Sequence, residues 1–271
     1  MPGSLYVVAT PVGNLEDLTL RALRVLREAD LIACEDTRQT GKLLAHFGVD
    51  KPMVSYHEHN EAGRTPELVA KLEAGANIAL VSDAGTPLVS DPGYRLVAAA
   101  IGAGIPVVPI PGASAVLGAL AAAGLPTDAF RFGGFLPAKT GQRKKALERL
   151  RDEDCTMIFY EAPHRILDAL SDVSAVYGER PVVVARELTK LHEEFLRGTA
   201  EEVRTQLAAR PSVKGEITLL IGKGAPVAAD TPVDEAVREL EQKGVPRMDA
   251  IKRVARERGL SKRDVYKQLT Q

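Results

Sequence analysis

The chain has 271 residues, 45% of them apolar and 26% charged, with two cysteines, no tryptophan and a formal net charge of −1. This composition excludes disordered, collagen-like and disulfide-framed architectures, and the length suits about two domains of ordinary size. Aromatic residues make up only 4%, too few to predict an aromatic base-stacking sheet. The small net charge hides an asymmetry. Residues 243–271 hold nine basic and three acidic side chains, so +6 lies at one end against −7 on the rest, which predicts an anionic partner touched at that end. Cys34 and Cys155 predict a reduced, cytoplasmic setting. Residues 1–4 carry no basic leader, and the uncharged stretch 96–127 is cut by Pro106, Pro109, Pro111 and Pro126. A soluble protein with no membrane contact is the expectation.

In chain order, residues 5–10 predict an apolar strand, and 19–29, with Leu20, Leu23 and Leu26 on one face, a helix. Apolar runs at 31–34, 53–56, 77–81 and 107–110 then alternate with helical stretches near 40–47, 66–73 and 94–103. Such repeats predict an α/β fold with a mostly parallel, doubly wound sheet covered on both faces. Past Pro111, strands at 131–135, 156–160, 182–186, 193–197 and 216–221 predict a second, mixed sheet, because 182–187 and 193–198 are close enough for a hairpin. The expected division is an N-terminal α/β domain (1–112), a second α/β domain (113–224), and a linker with a small helical tail (225–271).

Three strand-to-helix turns offer places for a small ligand. They are Thr10-Pro11-Val12-Gly13-Asn14, Ser82-Asp83-Ala84-Gly85-Thr86-Pro87 and Pro111-Gly112-Ala113-Ser114-Ala115. Small residues there let backbone approach a ligand at the carboxyl edge of a sheet. Taken singly, the first reads more readily as an ordinary βα turn, the second favours a functional Asp83 that can accept from ribose hydroxyls or an ammonium group, and the third fits close helix–sheet packing equally well. Asp91 and Pro92 read as a structural cap and first helical residue, and neither the G-x-G-x-x-G fingerprint nor a phosphate loop occurs. Two further turns bring charge to the same rim: Glu35, Asp36 and Arg38 after one strand, and His57, Glu58 and His59 after the next. Glu35, Asp36, Arg38 and His57 thus gather acid–base groups at one rim, each of which also reads as ordinary solvated loop charge. His57 and His59 lack a third ligand, so no metal is expected.

In the second half, Pro163 is expected to open a helix, and Arg165, Arg186 and Lys190 fit either anion contact or plain ion pairing. Lys139, Arg143, Lys144 and Lys145 predict a mobile basic loop. The tail shows helix-turn-helix spacing at Ala255, Gly259 and Val265, with Ser261 as N-cap. Its Arg253, Arg256, Lys262, Arg263 and Lys267 are candidates for gripping a nucleic-acid backbone, with simple helix packing as the alternative.

Six segments together resemble the tetrapyrrole (corrin/porphyrin) methylase superfamily. They are residues 8–17, 34–38, 81–87, 111–115, 159–165 (Phe-Tyr-Glu-Ala-Pro-His-Arg) and 185–190 (Ala-Arg-Glu-Leu-Thr-Lys). Within it they are similar to the branch that methylates a cytidine 2′-hydroxyl in bacterial 16S ribosomal RNA. The resemblance implies S-adenosyl-L-methionine held in a cleft between two α/β domains, and a homodimer. It implies cofactor contacts at Pro11, Val81, Ser82, Asp83, Thr86, Ser114, Ala115, Glu161, Leu188 and Glu216. Methyl transfer to a hydroxyl calls for a base, for which Asp36 is preferred, with Arg38 orienting it, His57 the runner-up and Glu35 a further candidate. With that substrate, the basic side chains of the tail, Arg165 and the Lys139–Lys145 stretch are expected to hold the RNA, and the lack of a stacking surface favours the assembled small subunit over naked RNA. Methylation of a tetrapyrrole precursor, or a helix-turn-helix DNA-binding regulator, are the alternatives.

Overall fold

The computed structural model describes residues 1–223, 232–242, 244–258 and 260–269, apart from the side chains of Arg256 and Glu257. Strands β1 (Leu5–Val8), β2 (Leu31–Cys34), β3 (Met53–Ser55), β4 (Ile78–Val81) and β5 (Val107–Ile110) pair in the order β3-β2-β4-β1-β5. Every pairing is parallel. The strands read as near-continuous apolar runs because helices cover both faces. Helices α1 (Leu20–Glu28) and α2 (Thr37–His46) pack over Val8, Ile32 and Val81, while α3 (Glu61–Glu73) and α4 (Tyr94–Gly102) pack over Leu5, Ala33 and Leu80. After β1 the chain crosses toward β2, and after β4 it crosses the other way to β5. Between these two strands lies the switch point at which open α/β sheets bind ligands. There the first and second ligand-ready turns are joined by backbone bonds between Thr10 and Gly85, both 2.9 Å long.

Helix α5 (Ala115–Ala123), capped by Ser114, leaves the first sheet and packs Val116, Ala119, Leu120 and Ala123 on the second. That sheet has the order β6-β7-β10-β8-β9, from β6 (Phe130–Phe135), β7 (Thr156–Glu161), β8 (Pro181–Arg186), β9 (Glu194–Thr199) and β10 (Ile217–Ile221). β6 and β7 are parallel and the other pairs antiparallel, so the sheet is mixed and contains the predicted hairpin. Helices α6 (Thr140–Arg149), α7 (Ile166–Tyr177) and α8 (Ala200–Ala208) cover its other face.

Local expectations are corrected at three places. The stretch expected to be a mobile basic loop forms the first turns of α6. Pro163 opens a turn, and α7 begins only at Ile166. Asp91 and Pro92 do not start α4, which begins at Tyr94 after Gly93 at φ 135°, a conformation that glycine adopts without strain.

Glu194 on β9 accepts from Arg210 at 2.9 Å and from Arg186, and the two guanidiniums hold its carboxyl at about 2, below its ordinary 4.5. A carboxyl with a lowered native pKa stabilises the fold above its unfolded pKa and loses that contribution as pH falls toward the native one. Between about pH 4.5 and 2 the wild type is therefore expected to lose melting temperature more steeply than Glu194→Gln, as thermal melts across that window would register.

The tail forms its own cluster. Helices α9 (Val233–Gln242), α10 (Arg247–Glu257) and α11 (Lys262–Leu269) enclose Val237, Ile251, Val254 and Val265. Ser261 caps α11, its Oγ accepting from Asp264 N at 3.1 Å. The expected linker residues 224–231 lie outside the described residues. Among the described residues no helix is long and apolar enough to cross a membrane.

Candidate active site

Two chambers adjoin between the sheets. The first encloses about 310 Å³ between Thr86, Ser114 and Ala115 on one side and Tyr160, Glu161 and Leu188 on the other. The second, about 320 Å³, is walled by Pro11, Gly13, Gln39, Lys42, Asp83 and Lys190. Val12, Ala84 and Glu216 line both and so stand where the two meet, a junction called the passage below.

The walls are made of strained turns. Leu88 and Ser90 have φ of 73° and 68°, and Glu187 and Thr189 of 52° and 66°. Non-glycine residues in this region cost about 1–3 kcal/mol each and cluster at ligand sites. Gly85 and Gly215, at φ 78° and 94°, leave the first chamber's wall free of side chains. Lys190 binds Glu187 at 2.8 Å and Glu216 at 3.0 Å. Its stem lies where a Cβ on Gly13 would stand, which ties the second domain's loops to the first turn.

Acidic groups converge near the passage. Asp83 Oδ1 accepts from the Asp36 N–H at 3.1 Å. Burial pushes the Asp83 carboxyl up, and the nearby charge of Asp36 adds to this. Burial likewise raises Glu35 and raises Asp91, which lines the first chamber. Asp36 goes the other way. Its Oδ1 caps α2 through Arg38 N at 2.8 Å and also takes Arg38 Nε at 3.1 Å, while its Oδ2 takes Arg38 Nη2 at 2.7 Å. These bonds hold its carboxyl at about 2.

The rim candidates therefore separate. Glu35, Asp36, Arg38 and His57 line neither chamber, whereas Asp83 lines the second. His57 Nε2 lies 3.2 Å from the Asn60 amide nitrogen, so the ring is held by its own turn rather than aimed at the passage. Among the described residues no three His, Cys, Asp or Glu side chains gather into a metal-holding cluster.

Of the residues proposed for the cofactor, Thr86, Ser114, Ala115, Glu161, Leu188 and Glu216 line the first chamber. Pro11 and Asp83 belong to the second, and Val81 and Ser82 are buried behind the wall. Two basic candidates prove internal. Arg143 is 1% exposed and donates to Asp172 at 2.7 Å. Arg165 pairs with the fully buried Glu161 carboxylate at 2.8 Å and donates to the Leu136 carbonyl at 2.5 Å. Lys144 reaches Asp172 at 3.6 Å, whereas Lys139 and Lys145 are exposed. In the tail Arg253, Lys262, Arg263 and Lys267 lie on the surface, and the Arg256 side chain lies outside the described residues. Sequence reading missed Gln39, Lys42, Asp91, Phe135 and Tyr160 as chamber walls. Asp91, beside the second ligand-ready turn, and Tyr160, inside the 159–165 segment, carried signals, but Asp91-Pro92 reads in sequence as a helix start and Tyr160 as a strand residue.

A parallel sheet with a crevice at its switch point, facing a mixed sheet across a partly open cleft, is the architecture of a small-molecule-binding α/β enzyme. The chain belongs to the Tetrapyrrole (Corrin/Porphyrin) Methylases, whose family model matches residues 4–204. It is 51% identical to the Ribosomal RNA small subunit methyltransferase I of Halalkalibacterium halodurans, over 97% of this chain and 93% of that one. It is 48% identical to the protein of that name from Escherichia coli O157:H7, over 98% and 94%. Among solved structures it resembles a uroporphyrin-III-C-methyltransferase from Thermus thermophilus (TM-score 0.57, 25% identity, 82% of this chain and 94% of that one). A conserved hypothetical protein from Aeropyrum pernix K1 shares the fold over 99% of this chain and 96% of its own (TM-score 0.65, 17% identity).

Proposed function

We propose that the protein is an S-adenosylmethionine-dependent methyltransferase acting on the 2′-hydroxyl of a cytidine, the decoding-site one, in 16S ribosomal RNA. The reading includes a cytoplasmic homodimer working on the small ribosomal subunit. The observation that carries it is the junction of two chambers at Val12, Ala84 and Glu216, with Asp83 beside it. One chamber serves a donor and the other an acceptor, and their contents meet at the passage.

The first chamber suits the cofactor. Its volume falls within the range of about 300–1,000 Å³ typical of small-molecule sites. Val12, Leu188 and Ile217 give it apolar walls, and Asp91 and Glu216 supply negative charge for a sulfonium and an ammonium group. When bound, S-adenosylmethionine supplies an electrophilic methyl group, so the protein's task is to place and deprotonate the acceptor. In the second chamber Asp83 would accept the proton of the acceptor hydroxyl, leaving that oxygen free to take the methyl group the cofactor supplies. Asp36 positions that carboxylate through its backbone N–H and does not itself take the proton. Lys42 stands on the same wall and suits a neighbouring phosphate.

Gly215→Ala tests the cofactor assignment. A Cβ there would come within 2.5 Å of the Glu187 side chain, at a φ that alanine adopts poorly. Calorimetry is expected to show S-adenosylhomocysteine binding weakened about ten-fold or more, equivalent to roughly 1.4 kcal/mol.

The function itself is tested with tritiated S-adenosylmethionine and three acceptors side by side: unmodified small ribosomal subunits, deproteinised rRNA and a reduced porphyrinogen. Label in a ribose-methylated cytidine from the subunits is the expected result. Label in the porphyrinogen alone overturns the reading, and a preference for naked rRNA overturns the assembled-subunit part of it.

A further inference from the structure

Phe135 is the unexplained aromatic of the active-site cleft. It stands 58% exposed yet lines the first chamber, in a chain with no tryptophan and six phenylalanines. Its position comes from a fault in edge strand β6. Phe132 pairs with Ile158 and Phe135 with Tyr160, so three steps on β6 match two on β7, and Gly134 takes φ 65° at the irregularity. Residues three apart on a regular strand point to opposite faces. The extra residue brings both rings to one side, edge-on to Tyr160 at 4.9 and 5.6 Å, and bulges of this kind re-aim side chains beside active sites.

The segment that follows is braced from within. Arg165 donates to the Leu136 carbonyl at 2.5 Å, and Arg143 donates to the carbonyls of Pro137 and Ala138 at 3.3 and 3.2 Å. Two arginines that read as RNA contacts thus spend their donors on three consecutive carbonyls directly after Phe135. This segment leads to the N-terminus of α6, where Lys139 is exposed, no side chain caps the helix and no acidic residue stands in the first turn.

We propose that Phe135 is a stacking platform for an unpaired RNA base at the mouth of the cleft, with the α6 N-terminus and Lys139 beside it facing the adjoining phosphate. An outward ring in a rigid setting offers a π-face to any base, and positive charge next to it matches a nucleic-acid backbone. This rests on the RNA reading above, because the cavity beside the ring would serve a small acceptor as well.

The test compares Phe135→Ala, Phe135→Leu and Phe135→Tyr with the wild type. The readouts are KM and kcat on unmodified small subunits, S-adenosylhomocysteine affinity by calorimetry, and sedimentation. Base–aromatic stacking of about 1–3 kcal/mol corresponds to a rise in KM of roughly 5- to 150-fold. That rise is expected for the alanine and leucine variants, with tyrosine close to wild type and, because Phe135 also borders the first chamber, a loss of cofactor-product affinity much smaller than the rise in KM. Leucine behaving like wild type, or affinity for S-adenosylhomocysteine falling in step, overturns the platform in favour of plain packing or of a cofactor lid. Altered sedimentation of the variants makes the ring a subunit contact instead. Wild type that leaves the subunits unlabelled overturns the RNA reading and the platform together, whereas labelled subunits with an unchanged KM in every variant overturn the platform alone.

Discussion

Asp83→Asn is expected to lower kcat by about 10²–10⁴-fold, the usual contribution of a positioned proton acceptor, while S-adenosylhomocysteine binds nearly as before. Asparagine keeps the size of the side chain and an oxygen for the Asp36 N–H, which now reaches Asp83 at 3.1 Å, so the second chamber should hold its shape. What is lost is basicity. Burial lifts the Asp83 carboxyl above its ordinary 3.8, whereas Arg38 holds Asp36 at about 2. The acceptor should be active only when ionised, so the acid limb of kcat/KM is expected above the ordinary carboxylate pKa and should vanish from the residual activity of the variant. Asp36→Asn should act more weakly, because its side chain caps α2 and its backbone N–H survives the change. Single-turnover rates across pH, with calorimetry for the bound product, separate the two. Equal losses at both positions would assign the proton to neither in particular.

The second large effect is structural. Arg143→Ala is expected to destabilise the protein by about 3–5 kcal/mol, the usual cost of stripping one partner from a buried ion pair. Arg143 and Asp172 are 1% and 6% exposed, and their bond joins α6 to α7. With the guanidinium gone, Asp172 keeps only Lys144 at 3.6 Å, and the Pro137 and Ala138 carbonyls lose their donors. The double variant Arg143→Met/Asp172→Leu removes both charges and should recover most of the loss, since apolar replacement of a whole buried pair is often neutral or better. Urea denaturation followed by circular dichroism measures both. A double variant as unstable as the single one would mean that bracing of the 137–138 carbonyls, rather than the stranded charge, dominates.

These two cases mark where the sequence was legible. Apolar runs bounded by glycine and proline gave the β–α alternation of the first domain, because both faces of a parallel sheet are covered and the strands need no polar side. One capping hydroxyl was equally plain: Ser261 accepts from Asp264, the third residue of its helix. The hairpin of β8 and β9 followed from a short spacing. The ligand-ready turns were readable because each follows an apolar strand and carries small residues in a row.

Side-chain direction was another matter. Arg143, Lys144 and Lys145 are adjacent in sequence, yet the 100° step of a helix turns the first inward onto Asp172 and leaves Lys145 exposed. Arg165 was consumed by a glutamate four residues earlier that the fold had buried. Asp36 and Asp83 look alike in the sequence, and only the packing of α2 against the turn after β4 makes one a cap held by Arg38 and the other a chamber wall. The irregularity that turns Phe135 toward the cleft leaves no mark beyond two glycines. Sequence by itself determined the elements, their order and the sheet edge at which ligands collect, because those depend on local periodicity and on turns. Tertiary structure decided which charges face the cleft and which are spent inside. A charged group takes its role from the partners that packing gives it, whether four residues away, as for Arg165 and Glu161, or twenty-nine, as for Arg143 and Asp172.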